Sequence, residues 1–356
     1  MKKMYAVFGN PVLHSKSPQL FRSMIRNHDH YTRILPQSAE DILRIVKLVN
    51  ITGASITSPY KLLLLPLLDD LTPSARAVGA VNCIRYEKGG IYGHNTDFMG
   101  VIGALEQAGV ILCGAKILVL GAGGAARAAV YGLKKAGSEV YVCNRTQSKA
   151  EELAATFGAN FIDWENPKTM PFFDAVVSTL LPEAIPPFAG RLTYGKLLDA
   201  VYKPSKMSEF SRSRGVTIIR GDRWLIFQGL AAADFYVNKD TSLSHLQTKK
   251  LKTGIQQFSV PAGRGNGAPD RRIDKSLQHQ MRASAGMNIA PPLIKRLEEA
   301  LSHGLHQENL RILVLNEKTT TSEFNKPYDL VVSGFGLSEE AVKMIIDEEN
   351  HLAFGG

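Results

Sequence analysis

Short apolar runs bounded by turn residues alternate with longer stretches of helical periodicity through most of this chain. That is the pattern of strands joined by crossover helices. Residues 4–8 read as a buried strand, closed by Gly9-Asn10-Pro11. A helix follows, with Ser17 as its N-cap and Pro18 in its first turn. Residues 54–57 read as a strand. Residues 71–78 form a helix that Thr72 caps, Pro73 opens and Gly79 closes. Residues 80–86 and 91–93 are strands around the turn Lys88-Gly89-Gly90.

The middle of the chain repeats one theme. Helix 98–108 leads to strand 116–120, a glycine turn, the alanine-rich helix 125–136, strand 139–143 and helix 148–157. Ser148 and Glu151 stand at capping-box spacing at the start of that last helix. Strands 175–178 and 197–201 and a helix from 225 to 236 follow. The alternation predicts an α/β fold with a parallel sheet covered by helices. Near residue 260 the texture changes, and the Pro/Gly-rich run 261–269 reads as a linker. Beyond it come helix 292–303, strands 311–315 and 330–332 and helix 339–349.

The glycine turn carries the first chemistry. In ILVLGAGGAARAAV (117–130), Gly121, Ala122, Gly123, Gly124 and Ala125 lie between a strand and a helix. Glycines there permit a tight turn and close approach of a pyrophosphate to the N–H groups of the helix start. An NAD site usually places a carboxylate at the end of the next strand. This chain has Asn144-Arg145-Thr146 instead, with Lys149 one turn on. Arg145 can stack on an adenine and pair with a 2′-phosphate, Asn144 and Thr146 can hydrogen-bond it, and Lys149 adds charge. The predicted cofactor is therefore NADP.

Composition narrows the classes. The chain has 356 residues, 44% hydrophobic and 21% charged, which suits a globular enzyme. Its net charge of +9 comes without zinc-finger spacing or a long basic run, so small anionic ligands are favoured over nucleic acid. Three separated cysteines argue against a disulfide framework or a structural zinc, and no metal is expected. The N-terminal stretch turns to glycine too early for a signal peptide, and the apolar run 62–68 is broken by Pro66. A cytoplasmic protein without a membrane partner is the expectation; a homodimer is left open.

Several motifs now add up. The segments GNPVLHSKSP (9–18), SITSPYK (55–61), GAVN (79–82) and GHNTD (93–97) resemble the shikimate dehydrogenase family. So do the glycine loop with Asn144-Arg145-Thr146, DAVYKP (199–204) and WLIFQ (224–228), in order and spacing over about the first 255 residues. The resemblance implies NADPH-dependent reversible reduction of 3-dehydroshikimate to shikimate, a step toward chorismate and the aromatic amino acids. It implies Lys61 as proton donor and Asp97 as its holder, with Ser15, Ser17, Thr57, Asn82, Tyr202 and Gln228 binding substrate. A lysine needs its surroundings tuned for such work. Ser55 stands where the family usually carries Asn, and Trp224 where Met is more frequent. Tyr60 and His14 read as structural. A quinate-type dehydrogenase and a catalytically silent NADP-binding regulator are the alternatives.

The expected architecture is a two-lobed α/β protein: a substrate-binding lobe from 1–100 plus 225–256, a Rossmann-like NADP-binding lobe from 101–224, a linker over 257–285 and a small C-terminal α/β module over 286–356. The last part carries no GxxxxGK[ST], which argues against a kinase. It is also too short for a (β/α)₈ barrel.

Overall fold

The computed structural model describes residues 3–24, 29–168, 170–237, 291–302, 311–316, 319 and 328–354. Strand β1 (Met4–Phe8) is buried along its whole length between β2 (His30–Leu35) and β3 (Ile51–Ile56), parallel to both. A strand covered on both faces needs a continuous apolar run, and MYAVF supplies one. Between these strands lie α1 (Ser17–Arg22) and α2 (Ala39–Val49). In α2, Ile42, Ile45, Val46 and Val49 turn one face to the sheet. The Ser38 hydroxyl accepts from Asp41 N at 3.1 Å and starts that helix.

After β3 come the short α3 (Tyr60–Leu63), β4 (Asp70–Leu71) and α4 (Pro73–Val78). Thr72 caps α4 as expected, and Gly79 ends it in the left-handed region. The hairpin β5 (Cys83–Glu87) and β6 (Gly90–His94) pairs antiparallel with β3 through β5. Helix α5 (Asp97–Gln107) then crosses to a second sheet.

That sheet contains β7 (Lys116–Leu120), β8 (Glu139–Cys143), β9 (Asn160–Phe161), β10 (Phe173–Ser178), β11 (Tyr194–Asp199) and β12 (Thr217–Arg220). The order is β12-β11-β10-β7-β8-β9, with every pair parallel. Helices α6 (Gly124–Lys135), α7 (Gln147–Phe157) and α8 (Lys206–Ser213) make its crossovers. The strand order reverses between β7 and β10, which opens a crevice at their carboxyl ends. Helix α9 (Gly221–Val237) returns to the first lobe. It packs along α5, so Phe98, Val101, Leu105, Trp224 and Phe227 share one core with Ile117 and Val119 of β7. Boundaries drawn at 100 and 225 fall inside α5 and α9; these two helices are the joint of the lobes.

The C-terminal part departs most from expectation. Helix α10 (Pro291–Ser302) packs Leu297 and Leu301 against Leu20, Ile226 and Leu230. Strands β13 (Ile312–Leu315) and β14 (Leu330–Ser333) do not form a separate module. They extend the first sheet to the order β13-β14-β2-β1-β3-β5-β6-β4, with β14 parallel to β2. Without them β2 would be a hydrophobic edge. Burying Leu330, Val331 and Val332 contributes about 1.5–3 kcal/mol each. Helix α11 (Glu339–Phe354) closes the chain against this face.

Two predicted caps are corrected. Helix α1 begins at Ser17, Lys16 is its N-cap, and no side chain caps it. The Ser15 hydroxyl accepts from Ser17 N at 3.3 Å instead. Helix α7 starts after Thr146, so Ser148 sits inside the first turn and makes no capping box. Glu151 is bonded by the Gln147 amide at 2.7 Å. The linker over 257–285 and the stretch 238–256 lie outside the described residues. Among the described residues, no helix is long and apolar enough to cross a membrane.

Candidate active site

Three turns of the first lobe converge on Asp97. Asn95 fixes the approach to α5: its amide donates to Ala80 O at 2.9 Å, and its oxygen accepts from Asp97 N at 3.1 Å. Asn82 reaches across from the end of α4. Its oxygen accepts from Thr96 N at 2.7 Å, which turns its NH₂ toward Asp97 Oδ1 and Thr96 Oγ1, both at 3.0 Å, and Gln228 Oε1 at 3.1 Å. Two hydrogens cannot serve three acceptors fully. Acceptor capacity is left over beside the cleft, which suits a ligand rich in hydroxyls.

The other oxygen of Asp97 meets Lys61. Nζ of Lys61 lies 2.5 Å from Asp97 Oδ2, with the two side chains only 15% and 8% exposed. The lysine backbone is pinned as well, since Val81 N donates to Lys61 O at 2.7 Å. An ammonium carries three hydrogens. One is used on Asp97, so Lys61 can still donate toward a bound oxygen. Tyr60, next door, packs in the core and donates to Pro36 O at 2.9 Å.

A cleft of about 1610 Å³ between the lobes is lined by Ser15, Ser17, Thr57, Lys61, Asn82, Asp97, Tyr202 and Gln228. Thr57 stands at the carboxyl end of β3, where its N–H donates to Phe8 O at 2.9 Å. Gln228 projects from α9, and its NH₂ donates to Leu225 O at 3.1 Å. Tyr202 comes from the second lobe, with Lys16 Nζ 5.5 Å from its ring centre. Burial raises the Tyr202 pKa, so its hydroxyl stays protonated. Lys16 is also paired with Asp222 at 3.1 Å. His14, read as structural, is exposed and lines the cleft.

Arg33 is a component that the sequence reading missed. It is fully buried in β2, and its Nε and Nη2 donate to Ser15 O at 3.0 and 2.6 Å. Burial, then the charge of Arg22, lowers its pKa; a guanidinium still carries its charge at neutral pH. A cation behind Ser15 and Ser17 favours an anionic ligand there. An arginine inside an apolar strand gives no sign of this in sequence. Ser55 also lines the cleft, but its hydroxyl is engaged by Tyr31 at 2.8 Å and Tyr236 at 3.0 Å.

The glycine loop occupies the crevice between β7 and β10. Gly121 N donates to Cys143 O at 2.8 Å, which joins the loop to the end of β8. Gly121 has φ +115°, and a Cβ there would stand 2.1 Å from Thr179 Oγ1. Only glycine fits. Thr179, the residue after β10, was also missed; it lines the cleft and donates to Leu120 O at 2.9 Å. Above Gly123 the space is open, and α6 has no acidic residue in its first turn. Its first N–H groups have no acceptor within the helix. Of the expected cofactor set, Ala125 also lines the cleft. Asn144 is half-buried at the end of β8, and Arg145, Thr146 and Lys149 are exposed beyond it. Thr146 precedes α7 without capping it, and that helix also lacks an acid in its first turn. Two helix starts without acidic residues in their first turns, with Arg145 and Lys149 exposed at the second, fit the phosphates of NADP.

The family model described as shikimate dehydrogenase substrate binding domain matches residues 7–84. One described as NADP oxidoreductase coenzyme F420-dependent matches residues 116–200. A shikimate dehydrogenase (NADP(+)) of Carboxydothermus hydrogenoformans is 32% identical over 252 residues, covering 65% of this chain and 90% of the relative. One from Aquifex aeolicus is 32% identical over 241 residues, covering 65% and 89%. Among solved structures, the shikimate 5-dehydrogenase of Thermus thermophilus, in complex with NADP(H) and shikimate, aligns with a TM-score of 0.58 at 31% identity. That alignment covers 66% of this chain and 93% of the other.

Proposed function

Because this chain belongs to the shikimate dehydrogenase family, we propose that it interconverts shikimate and 3-dehydroshikimate with NADP. The observation that carries the reading is the Lys61–Asp97 pair at 2.5 Å, held by Asn82 in a cleft between the two lobes. Bound NADPH supplies the hydride. The side chains around the cleft supply orientation and the proton.

Lys61 donates a proton to the ketone oxygen during reduction and takes it back during oxidation. Asp97 keeps Nζ in line and offers an oxygen to the reacting hydroxyl. Ser15 and Ser17, backed by the Arg33 charge, bind the substrate carboxylate. Thr57, Asn82, Tyr202 and Gln228 bind the ring hydroxyls or the carboxylate. A buried polar set of this kind discriminates strongly against analogues that lack a hydroxyl, because a missing partner leaves a group unpaired. Arg145, helped by Asn144, Thr146 and Lys149, would hold the 2′-phosphate of NADP, and Gly121, Ala122, Gly123, Gly124 and Ala125 would hold its diphosphate. Free cysteines at 83, 113 and 143 suit a reducing compartment, so a cytoplasmic enzyme belongs to this reading. A homodimer also belongs to it, and sedimentation tests that.

The deciding experiment follows reduced-nicotinamide absorbance while purified protein receives shikimate or quinate with NADP or NAD. Rapid reduction of NADP by shikimate is expected, with the other pairs slower. No reduction with any pair, in protein that binds NADP, would overturn the assignment.

A further inference from the structure

The substrate-carboxylate loop is gripped from both sides, and one grip comes from the far end of the chain. Val12 and Leu13 are buried, and they precede Ser15 by a tight turn in which Ser15 N donates to Val12 O at 2.9 Å. Their own N–H groups point to one carboxylate. Val12 N donates to Glu349 Oε1 and Oε2 at 2.9 and 3.2 Å, and Leu13 N donates to Oε2 at 2.9 Å. Glu349 projects from α11 and is only 3% exposed. A buried carboxylate costs a great deal of solvation unless strong donors replace the water, and two consecutive backbone N–H groups do so here. On the other side of the turn, Arg33 holds Ser15 O.

We propose that Glu349 is a positioning residue for substrate binding: the C-terminal extension clamps the Val12–Leu13 backbone and thereby aims Ser15 and Ser17 at the substrate carboxylate. This rests on the reading of Ser15 and Ser17 given above. The extension is suited to the task. Strands β13 and β14 anchor it on β2, the strand that also carries Arg33. Leu352 and Ala353 of α11 reach the cleft wall, and Lys203 of the second lobe donates to Leu352 O at 3.4 Å. The two family-model matches end at residues 84 and 200, so Glu349 lies outside both. The extension is then part of the substrate site and not an appendage to it.

The test compares Glu349→Ala and Glu349→Gln with the unaltered full-length chain, each checked for folding by its thermal midpoint. Losing both acceptors should raise KM for shikimate about tenfold or more, with kcat within about threefold and KM for NADP unchanged. Glu349→Gln, which keeps one carbonyl oxygen but turns an NH₂ toward the second donor, should fall between. Amide hydrogen exchange at Val12 and Leu13 reports on the clamp without turnover. It should quicken about tenfold in Glu349→Ala while the glycine loop is unaffected. Unchanged exchange at Val12 and Leu13 would overturn the clamp, whether or not the unaltered protein oxidises shikimate. Quickened exchange with an unchanged KM for shikimate, or KM values for shikimate and NADP that rise together, would overturn its role in substrate binding.

Discussion

Gly124, in the first turn of the cofactor-lobe helix α6, lies against the side chain of Lys61 in the other lobe. A Cβ at Gly124 would stand 3.1 Å from Lys61 Cβ and 3.2 Å from Lys61 Cδ. The close approach brings the glycine loop beside the proposed proton donor. Gly124→Ala would add a methyl that Lys61 must yield to, while Nζ is held by Asp97. Turnover should fall about tenfold, since displacements of well under 1 Å disturb a reacting geometry. Stability should change by less than about 1 kcal/mol, because alanine favours the helix. Steady-state kinetics beside a urea titration would separate the two effects.

Lys61→Ala should lower kcat by about 10²–10⁴-fold, the usual contribution of a positioned acid or base. NADP binding, measured by fluorescence or calorimetry, should persist. Unchanged turnover would remove Lys61 from the mechanism.

Arg145→Ala should raise KM for NADP by about ten- to a hundredfold, in line with charge-assisted bonds to a phosphate. KM for NAD should barely move, since NAD has no 2′-phosphate. A parallel rise for both cofactors would mean that Arg145 only stacks on the adenine.

His94 makes stability depend on pH. Burial, then the charge of Arg85, lowers its pKa to about 4, against about 6.5 in an unfolded chain. Thr72 Oγ1 accepts from Ala75 N and lies 2.8 Å from His94 Nδ1, so its own hydrogen can reach a neutral ring. Below pH 6.5 the unfolded chain takes up a proton that the folded protein refuses. Stability therefore falls as pH drops from about 6.5 toward about 4, by up to about 1.4 kcal/mol per pH unit from this group. Above about pH 7.5 the group has no influence. Urea midpoints between pH 7.5 and 4.5 should show this limb, and His94→Gln should flatten it.

Ser55→Ala would take away the hydroxyl that Tyr31 and Tyr236 now share, leaving these two buried hydroxyls with each other and, for Tyr31, with Ser17. Burial raises the pKa of both Tyr31 and Tyr236, so neither gains charge to compensate. The expected loss is about 1–3 kcal/mol, read as a lower urea midpoint. A neutral result would mean that Tyr31 and Tyr236 satisfy each other.

Local signals in the sequence determined a good deal. The apolar run Lys116–Leu120 followed by the glycine turn, and the run Glu139–Cys143 ending in Asn144-Arg145-Thr146, sit in the structure where their patterns put them. Strand burial and turn chemistry are short-range properties, so contiguous residues carry them. The motifs around Ser15, Lys61, Asn82 and Asp97 were legible for the same reason: each is a turn or a helix start whose residues are neighbours, and the one around Gln228 is a contiguous run within α9. Their meeting in one cleft was not, because it depends on how α5 and α9 join the lobes. Arg33 in an apolar strand, Thr179 after β10 and Glu349 in a terminal helix gave no local sign, since each acts on residues distant in the chain. The last two strands read as a separate module, because nothing in ILVL or LVVS names a partner. Sheet pairing between backbones is indifferent to sequence distance. Only the exposed edge of β2, which exists once the fold has formed, decided where those strands belong.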